Sequence, residues 1–204
     1  MIISNINIRY GENIIFKDFK IDITENKVIC IIGKSGIGKT TLLKYICNEL
    51  LMKNIKFSYV FQEDRLIPWL NIYENLKLIA KQQYKGEQLD KKISEVLNIV
   101  KLNEFTKYFP NELSGGMRQR VNIARALLRN DKIILMDEPF KSIDSKCKYS
   151  IMEYIKKLQD TTLILVTHNR EEVRYLADIV YLLGDNPISC VENINIKEIN
   201  NIIV

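Results

Sequence analysis

Val28-Ile-Cys-Ile-Ile-Gly-Lys-Ser-Gly-Ile-Gly-Lys-Thr40 joins five apolar residues to the pattern G-x-x-x-x-G-K-S/T. The unbroken apolar run reads as a short strand buried on both faces. The glycines let backbone N–H groups turn inward around an anion. Residues 40–51 read as a helix, so unpaired N–H groups and the positive dipole end at its N-terminus face the same anion. This strand, loop and helix together predict a nucleoside triphosphate site. Gly33, Ser35, Gly36, Gly38, Lys39, Thr40 and Thr41 would hold the phosphates, with Lys39 reaching the β- and γ-phosphates and the Thr40 hydroxyl binding Mg²⁺. The loop alone goes no further, because kinases, GTPases and motor ATPases share it.

Working outward, residues 58–62, 133–136, 162–166 and 179–183 are further apolar strands, and helical spacing falls between them. Leu89, Ile93, Val96, Leu97 and Val100 mark one helix face. Helices are also expected from about residue 71, over 117–129 and over 145–159. Buried strands alternating with helices from residue 28 onward predict an α/β fold with a mainly parallel sheet. Before it, Ile2, Ile3, Ile6 and Ile8, then Phe19, Ile21 and Ile23, read as two strands. Residues 64–114 are more helical and read as a helical subdomain inserted into one domain spanning 1–204. The Ile- and Asn-rich stretch after Gly184 receives no element.

Two acids end the strand in Ile133-Ile-Leu-Met-Asp-Glu-Pro139. Carboxylates at the C-terminal edge of a parallel sheet lie beside the phosphate loop. Asp137 is a candidate Mg²⁺ ligand, directly or through water. Glu138, one residue on and pointing differently, is a candidate general base for an attacking water. His168, the chain's one histidine, follows another strand. It would stand on the same edge, where it could meet the γ-phosphate. Leu113-Ser-Gly-Gly-Met-Arg-Gln-Arg120 has the makings of a second anion site. Ser114 can cap a helix, and Gly115 and Gly116 leave its first N–H groups open. One nucleotide does not need two γ-phosphate cradles, so this second site reads as one that closes over the nucleotide of another copy.

In order and spacing, the phosphate loop, Leu113-Ser-Gly-Gly116, Asp137-Glu-Pro139 and Thr167-His168 resemble the ATP-binding subunits of ABC transporters over nearly the whole chain. The resemblance implies a P-loop NTPase core with a small antiparallel β subdomain and a helical subdomain. It implies that Tyr10 stacks on adenine, that Gln62 touches Mg²⁺ and the membrane partner, and that Asp144 lies in a dimer-crossing loop. Two copies would sandwich each ATP between Lys39 of one and Ser114, Gly115 and Gly116 of the other, and hydrolysis at Glu138 would open the pair. Integral-membrane permease subunits would receive that motion, with an extracytoplasmic solute-binding protein as an indirect partner. The chain would then work at the cytoplasmic face of the membrane. A narrower resemblance, in Phe61-Gln-Glu-Asp-Arg-Leu-Ile-Pro-Trp-Leu70 and Met117-Arg-Gln-Arg120, is to the subgroup importing nitrate, sulfonates, taurine or thiamine-precursor pyrimidines. Trp69 would pack either against the permease or inside the domain.

Two departures stand out. The stretch between Lys39 and Gln62 is shorter than usual for the family, which implies a trimmed β subdomain. Lys141-Ser-Ile143 replaces the family's small, apolar residues before Asp144. Few residues follow Leu183, and no large C-terminal regulatory domain is expected.

The bulk composition agrees with this reading. The sequence is 47% apolar and 27% charged, which suits a packed core and argues against disorder. A net charge of +5 is too small to imply nucleic acid, and none is expected as a partner. Arg118, Arg120, Arg125 and Arg129 read as a solvated or paired helix face. Four cysteines without a C-x-x-C pair argue against zinc and for a reducing compartment. No run is long enough to span a bilayer, and residues 1–10 do not resemble a signal peptide. The alternatives are an ABC-type ATPase acting on nucleic acid or ribosomes, another P-loop enzyme, and a non-catalytic scaffold. The first usually carries long coiled-coil insertions or fused cassettes. The second leaves residues 113–120 unexplained. The third leaves Glu138 and His168 without a use.

Overall fold

The computed structural model describes residues 1–184, 187–188 and 191–193. The rest of the Ile/Asn-rich tail lies outside them. Strand β1 (Ile2–Tyr10) turns at Gly11 and Glu12 into β2 (Asn13–Asp22), pairing antiparallel as a two-stranded sheet. A two-residue turn of this kind requires a left-handed backbone, which Gly11 adopts at φ 58°.

The second sheet holds β3 (Val28–Ile32), β4 (Ser58–Val60), β5 (Ile133–Asp137), β6 (Thr162–Val166), β7 (Ile179–Leu183) and β8 (Val191–Asn193). Its order is β4-β5-β6-β3-β7-β8; all neighbours run parallel except β7 and β8. Residues alternate between its faces as a period of two demands. Cys30 and Ile32 enter one core cluster with Val60, Met136 and Leu165, while Ile29 and Ile31 enter the other with Leu42, Ile46, Leu135 and Ile164. Each central strand is therefore apolar throughout.

Helix α1 (Lys39–Met52) packs on the second of these faces, beneath the two-stranded sheet. On the first lie α2 (Ile72–Ala80), α3 (Glu87–Ile99), α4 (Gly115–Arg129) and α5 (Ser145–Lys156). Helix α2 starts at a reciprocal cap in which the Glu74 N–H donates to Asn71 Oδ1 and the Asn71 N–H to Glu74 Oε2, each at 2.9 Å. Buried side chains of α2, α3 and α4 are continuous with those of the sheet, so the helical segment shares one core with it.

Besides β8, which falls in the stretch after Gly184 that received no element, the elements differ from expectation in three places. β4 ends at Val60, two residues early, which leaves Gln62 in the turn beyond it. Helix α5 stops at Lys156 rather than 159. A short helix, α6 (Arg170–Leu176), follows His168; Asn169 caps it by accepting the Glu171 N–H at 2.9 Å.

The sheet register sets up the site. Asp137 is level with Val166, and Val166 with Ile31, two residues before Gly33. The ends of β3, β5 and β6 therefore deliver the phosphate loop, Asp137-Glu138 and Thr167-His168 to one edge.

Candidate functional site

At that edge lies a cavity of about 560 Å³, lined by Gly33, Ser35, Gly36, Gly38, Lys39, Thr40, Thr41, Gln62, Asp137, Glu138, Lys141, Val166 and His168. Every residue expected of the phosphate loop is present in the lining, together with both acids, Gln62 and the histidine. Gly38 shows why the loop needs glycine. Its φ is 115°, and a Cβ there would come within 2.7 Å of Ile15 Cγ2.

The Lys39 ammonium donates to the carbonyls of Gly33 at 2.7 Å and Lys34 at 2.9 Å, curling the loop around its own lysine. Burial pulls its pKa down, and the Glu138 and Asp137 carboxylates pull it back. The Thr40 hydroxyl donates to Asp137 Oδ1 at 3.2 Å. Burial pushes the Asp137 carboxyl up, against that hydrogen bond. Glu138 adopts a left-handed backbone, φ 46°, with its N–H on the Val166 carbonyl at 2.9 Å. A non-glycine residue in this region is uncommon and turns the side chain out of the strand's alternation. Its carboxylate meets His168 Nδ1 at 2.8 Å, so the ring's Nε2 is the nitrogen that Glu138 leaves open. These groups can cradle an anion, ligate a hard cation and accept a proton from water.

The remaining expected residues do not join this cavity. Tyr10, at the end of β1, is 62% exposed. Ser114 caps α4 by accepting the Met117 N–H at 3.2 Å, and Asp144 caps α5 by accepting the Cys147 N–H at 2.9 Å. Gly115 lines an adjoining cavity of about 580 Å³ that shares Gln62, Glu138 and Lys141 with the first. Gly116 has a use beyond opening a helix end. A Cβ on it would lie 2.2 Å from the Ser142 carbonyl oxygen, so α4 rests directly on the loop before Asp144.

The arginines of α4 tie elements together. Arg118 pairs with Asp64 at 2.7 Å, Arg129 with Asp131 at 2.7 Å, Arg120 donates to the Val100 and Lys101 carbonyls, and Arg125 donates to the Arg65 carbonyl. Trp69 is 75% exposed, which overturns the reading of it as internal packing.

Sequence reading missed two features. Lys141 lines both cavities. Behind His168, buried Thr167 donates to Glu172 Oε2 at 2.6 Å, and buried Lys148 from α5 stands 3.8 Å from Glu172 and 3.2 Å from Glu171. Burial raises the Glu172 pKa, with the Thr167 hydroxyl and Lys148 acting against it. The signal for α6 was present as Asn169 followed by Glu171 and Glu172, a capping residue before acids in the first turn.

Comparison with known proteins identifies the family to which this fold belongs. The sequence pattern of the ABC transporter family matches residues 16–141. A sulfate/thiosulfate import ATP-binding protein of Bacillus cereus is 32% identical over 96% of this chain, and the chain spans 61% of that protein's length. An aliphatic sulfonates import ATP-binding protein of Bacillus subtilis is 34% identical, with 86% of this chain and 75% of that protein covered. The solved dimer of an ATP-binding cassette in a post-hydrolysis state, bound to ADP and Pi, matches with a TM-score of 0.80 at 32% identity, covering 96% of this chain and 99% of that one. By its fold, by the segments that meet at this sheet edge and by these likenesses, the chain belongs to the ABC transporter family of ATP-binding domains.

Proposed function

We propose that this chain is the ATP-hydrolysing cassette of a membrane importer and that it works as a pair of copies. The observation that carries the reading is the division of phosphate-binding groups within one chain. Lys39, Thr40, Asp137, Glu138 and His168 line one cavity, whereas Ser114 and Gly116 do not. A second copy, placed head to tail, supplies its Ser114, Gly115 and Gly116 to the phosphates held by Lys39. The post-hydrolysis dimer of a similar cassette supports such a pairing. Tyr10 stacks on the adenine, its exposed ring free to do so. Asp144 belongs to the crossing loop.

The Thr40 hydroxyl and the Asp137 carboxylate, 3.2 Å apart, with the Gln62 side chain in the same lining, form an all-oxygen donor set that suits Mg²⁺. When bound, Mg²⁺ supplies neutralisation of charge on the β- and γ-phosphate oxygens. The chain's own residues do the rest. Lys39 turns its ammonium from the loop carbonyls to the phosphates. Glu138 takes a proton from the attacking water. His168, held through Nδ1 by Glu138, presents Nε2 to the γ-phosphate and senses its loss. The γ-phosphate is the contact that differs before and after hydrolysis, so it drives closing and opening of the pair.

Permease subunits receive this motion at the cytoplasmic face of the membrane, with Gln62 and exposed Trp69 facing them, and an extracytoplasmic binding protein delivers the cargo. Among nitrate, sulfonate, taurine and thiamine-precursor cargoes, the name of one relative favours sulfonate, and that of the other adds sulfate or thiosulfate.

The test is Glu138→Gln. Its turnover is expected to fall about 100-fold or more, with accumulation of an ATP-bound dimer, because the amide cannot accept the water's proton. Hydrolysis at the native rate in a phosphate-release assay would remove Glu138 as the base.

A further inference from the structure

The loop Lys141-Ser-Ile143 departs from the family's small, apolar pattern, and its lysine lines both cavities, alongside Gln62 and Glu138. We propose that Lys141 is an added ligand for the terminal phosphate of a triphosphate bound in its own chain's loop, and that it sharpens the preference for triphosphate over diphosphate. The proposal rests on the ATP-binding reading above.

Three observations carry it. The first is that the Lys141 ammonium is unengaged: among the described residues no side-chain hydrogen bond or ion pair holds it. The other charged groups that line the first cavity have partners. Lys39 donates to the Gly33 and Lys34 carbonyls, Asp137 accepts from Thr40, and the Glu138 carboxylate is held by His168. A strongly hydrated, three-donor cation in the lining of an anion site is therefore open to an anion.

The second is that its backbone is anchored. The Lys141 N–H donates to the Glu138 carbonyl at 3.4 Å and the Ile143 N–H to the Phe140 carbonyl at 3.1 Å. Phe140 is buried, and Gly116 closes on the Ser142 carbonyl from the other side. The flexible stem thus starts from a fixed point beside Glu138, the residue that meets the terminal phosphate.

The third is the charge of the lining. Asp137 and Glu138 bring two negative charges, which Lys39 alone does not balance; Lys141 makes the lining neutral before an anion enters. At the low effective dielectric of a partly enclosed cavity, an unbalanced carboxylate opposes a polyphosphate, and a nearby ammonium offsets it. The terminal phosphate gains most, because Lys141 stands at the Glu138 end of the cavity. A diphosphate ends short of that contact.

The test is binding of the β,γ-imido analogue of ATP and of ADP, each with Mg²⁺, to the full chain at dilutions where light scattering finds single copies. Lys141→Ser is expected to bind the triphosphate analogue about ten-fold more weakly and ADP within about two-fold of native, as for loss of one charge-assisted contact. Lys141→Arg should restore the difference. Retained ADP binding shows that the serine variant is folded. Unchanged triphosphate affinity, an equal loss for both nucleotides, or a loss seen only when copies pair would each overturn the proposal. A native chain that binds neither nucleotide would instead remove the ATP-binding reading.

Discussion

The two regions proposed to meet the phosphates are built differently. The phosphate loop is closed by its own chain: Lys39 fills it, Thr40 and Asp137 brace each other, and Glu138 and His168 complete the wall. The segment at Ser114 is a helix end with one capping bond, resting through Gly116 on the Ser142 carbonyl. One region lines its cavity with charged side chains, whereas the other turns a helix end toward the adjoining cavity through Gly115. A region finished from within can bind its ligand alone. One that offers only a helix end gains its ligand when another surface brings it, because a helix dipole and a few N–H groups hold an exposed anion weakly.

The strongest test of this contrast is to damage the regions in separate copies. Lys39→Met should abolish nucleotide binding to the single chain. Ser114→Arg should spare that binding and abolish the ATP-driven dimer. Mixed together, the two variants should recover the ATP-driven dimer and up to half the native turnover, because one of the two composite sites in each mixed pair then joins an intact Lys39 to an intact Ser114. Light scattering and phosphate release on the mixture would check this. A mixture as inactive as its parts would mean that both regions act within one chain.

The first region was largely legible in the sequence because its geometry is local. Eight consecutive residues fix the loop, and a parallel sheet brings every strand's C-terminal end to one edge, so Asp137, Glu138 and His168 needed only correct strand boundaries. The second was legible as a cap and a glycine pair, but the reason for Gly116 was not. Its neighbour, the Ser142 carbonyl, arrives from a distant turn, and no periodicity encodes that approach. The same holds for Lys148. On α5 it reads as one more helical lysine, and only the packing of α6 places Glu172 opposite it. Helix α6 is too short to show a helical repeat, so its capping pattern was the one available sign. Lys141 was hidden in another way: its side chain is exposed, as a lysine in a turn is expected to be, and only the fold shows that it lines both cavities.

The supports behind the two regions should differ in strength as well. Behind His168 stands the buried set Lys148, Glu172 and Thr167, which ties α5 to α6 and fixes the residue before the histidine. Lys148→Met leaves the Glu172 carboxylate buried without its cation. That should cost about 3 kcal/mol of stability, as for removal of one partner from a buried pair. Denaturant unfolding would read it. A variant within about 0.5 kcal/mol of native, the range of ordinary surface substitutions, would show that the phosphate-loop side is no better supported than the helix end.

The smallest effect belongs to the helix end itself. Ser114→Ala removes the one side-chain bond to the first turn of α4 and should cost about 1 kcal/mol. That loss alone cannot separate a structural cap from a ligand contact, since alanine removes both. Ser114→Asp separates them. Aspartate accepts the Met117 N–H as well as serine does and suits the positive end of the helix, so stability should stay within about 0.5 kcal/mol of native. It also sets a carboxylate where, on the proposed pairing, the partner's terminal phosphate would approach, and like charges there should block the ATP-driven dimer. A stable Ser114→Asp chain that still dimerises with ATP would make Ser114 a cap and nothing more. A stable chain that binds ATP but stays single would show that the two regions meet on one phosphate.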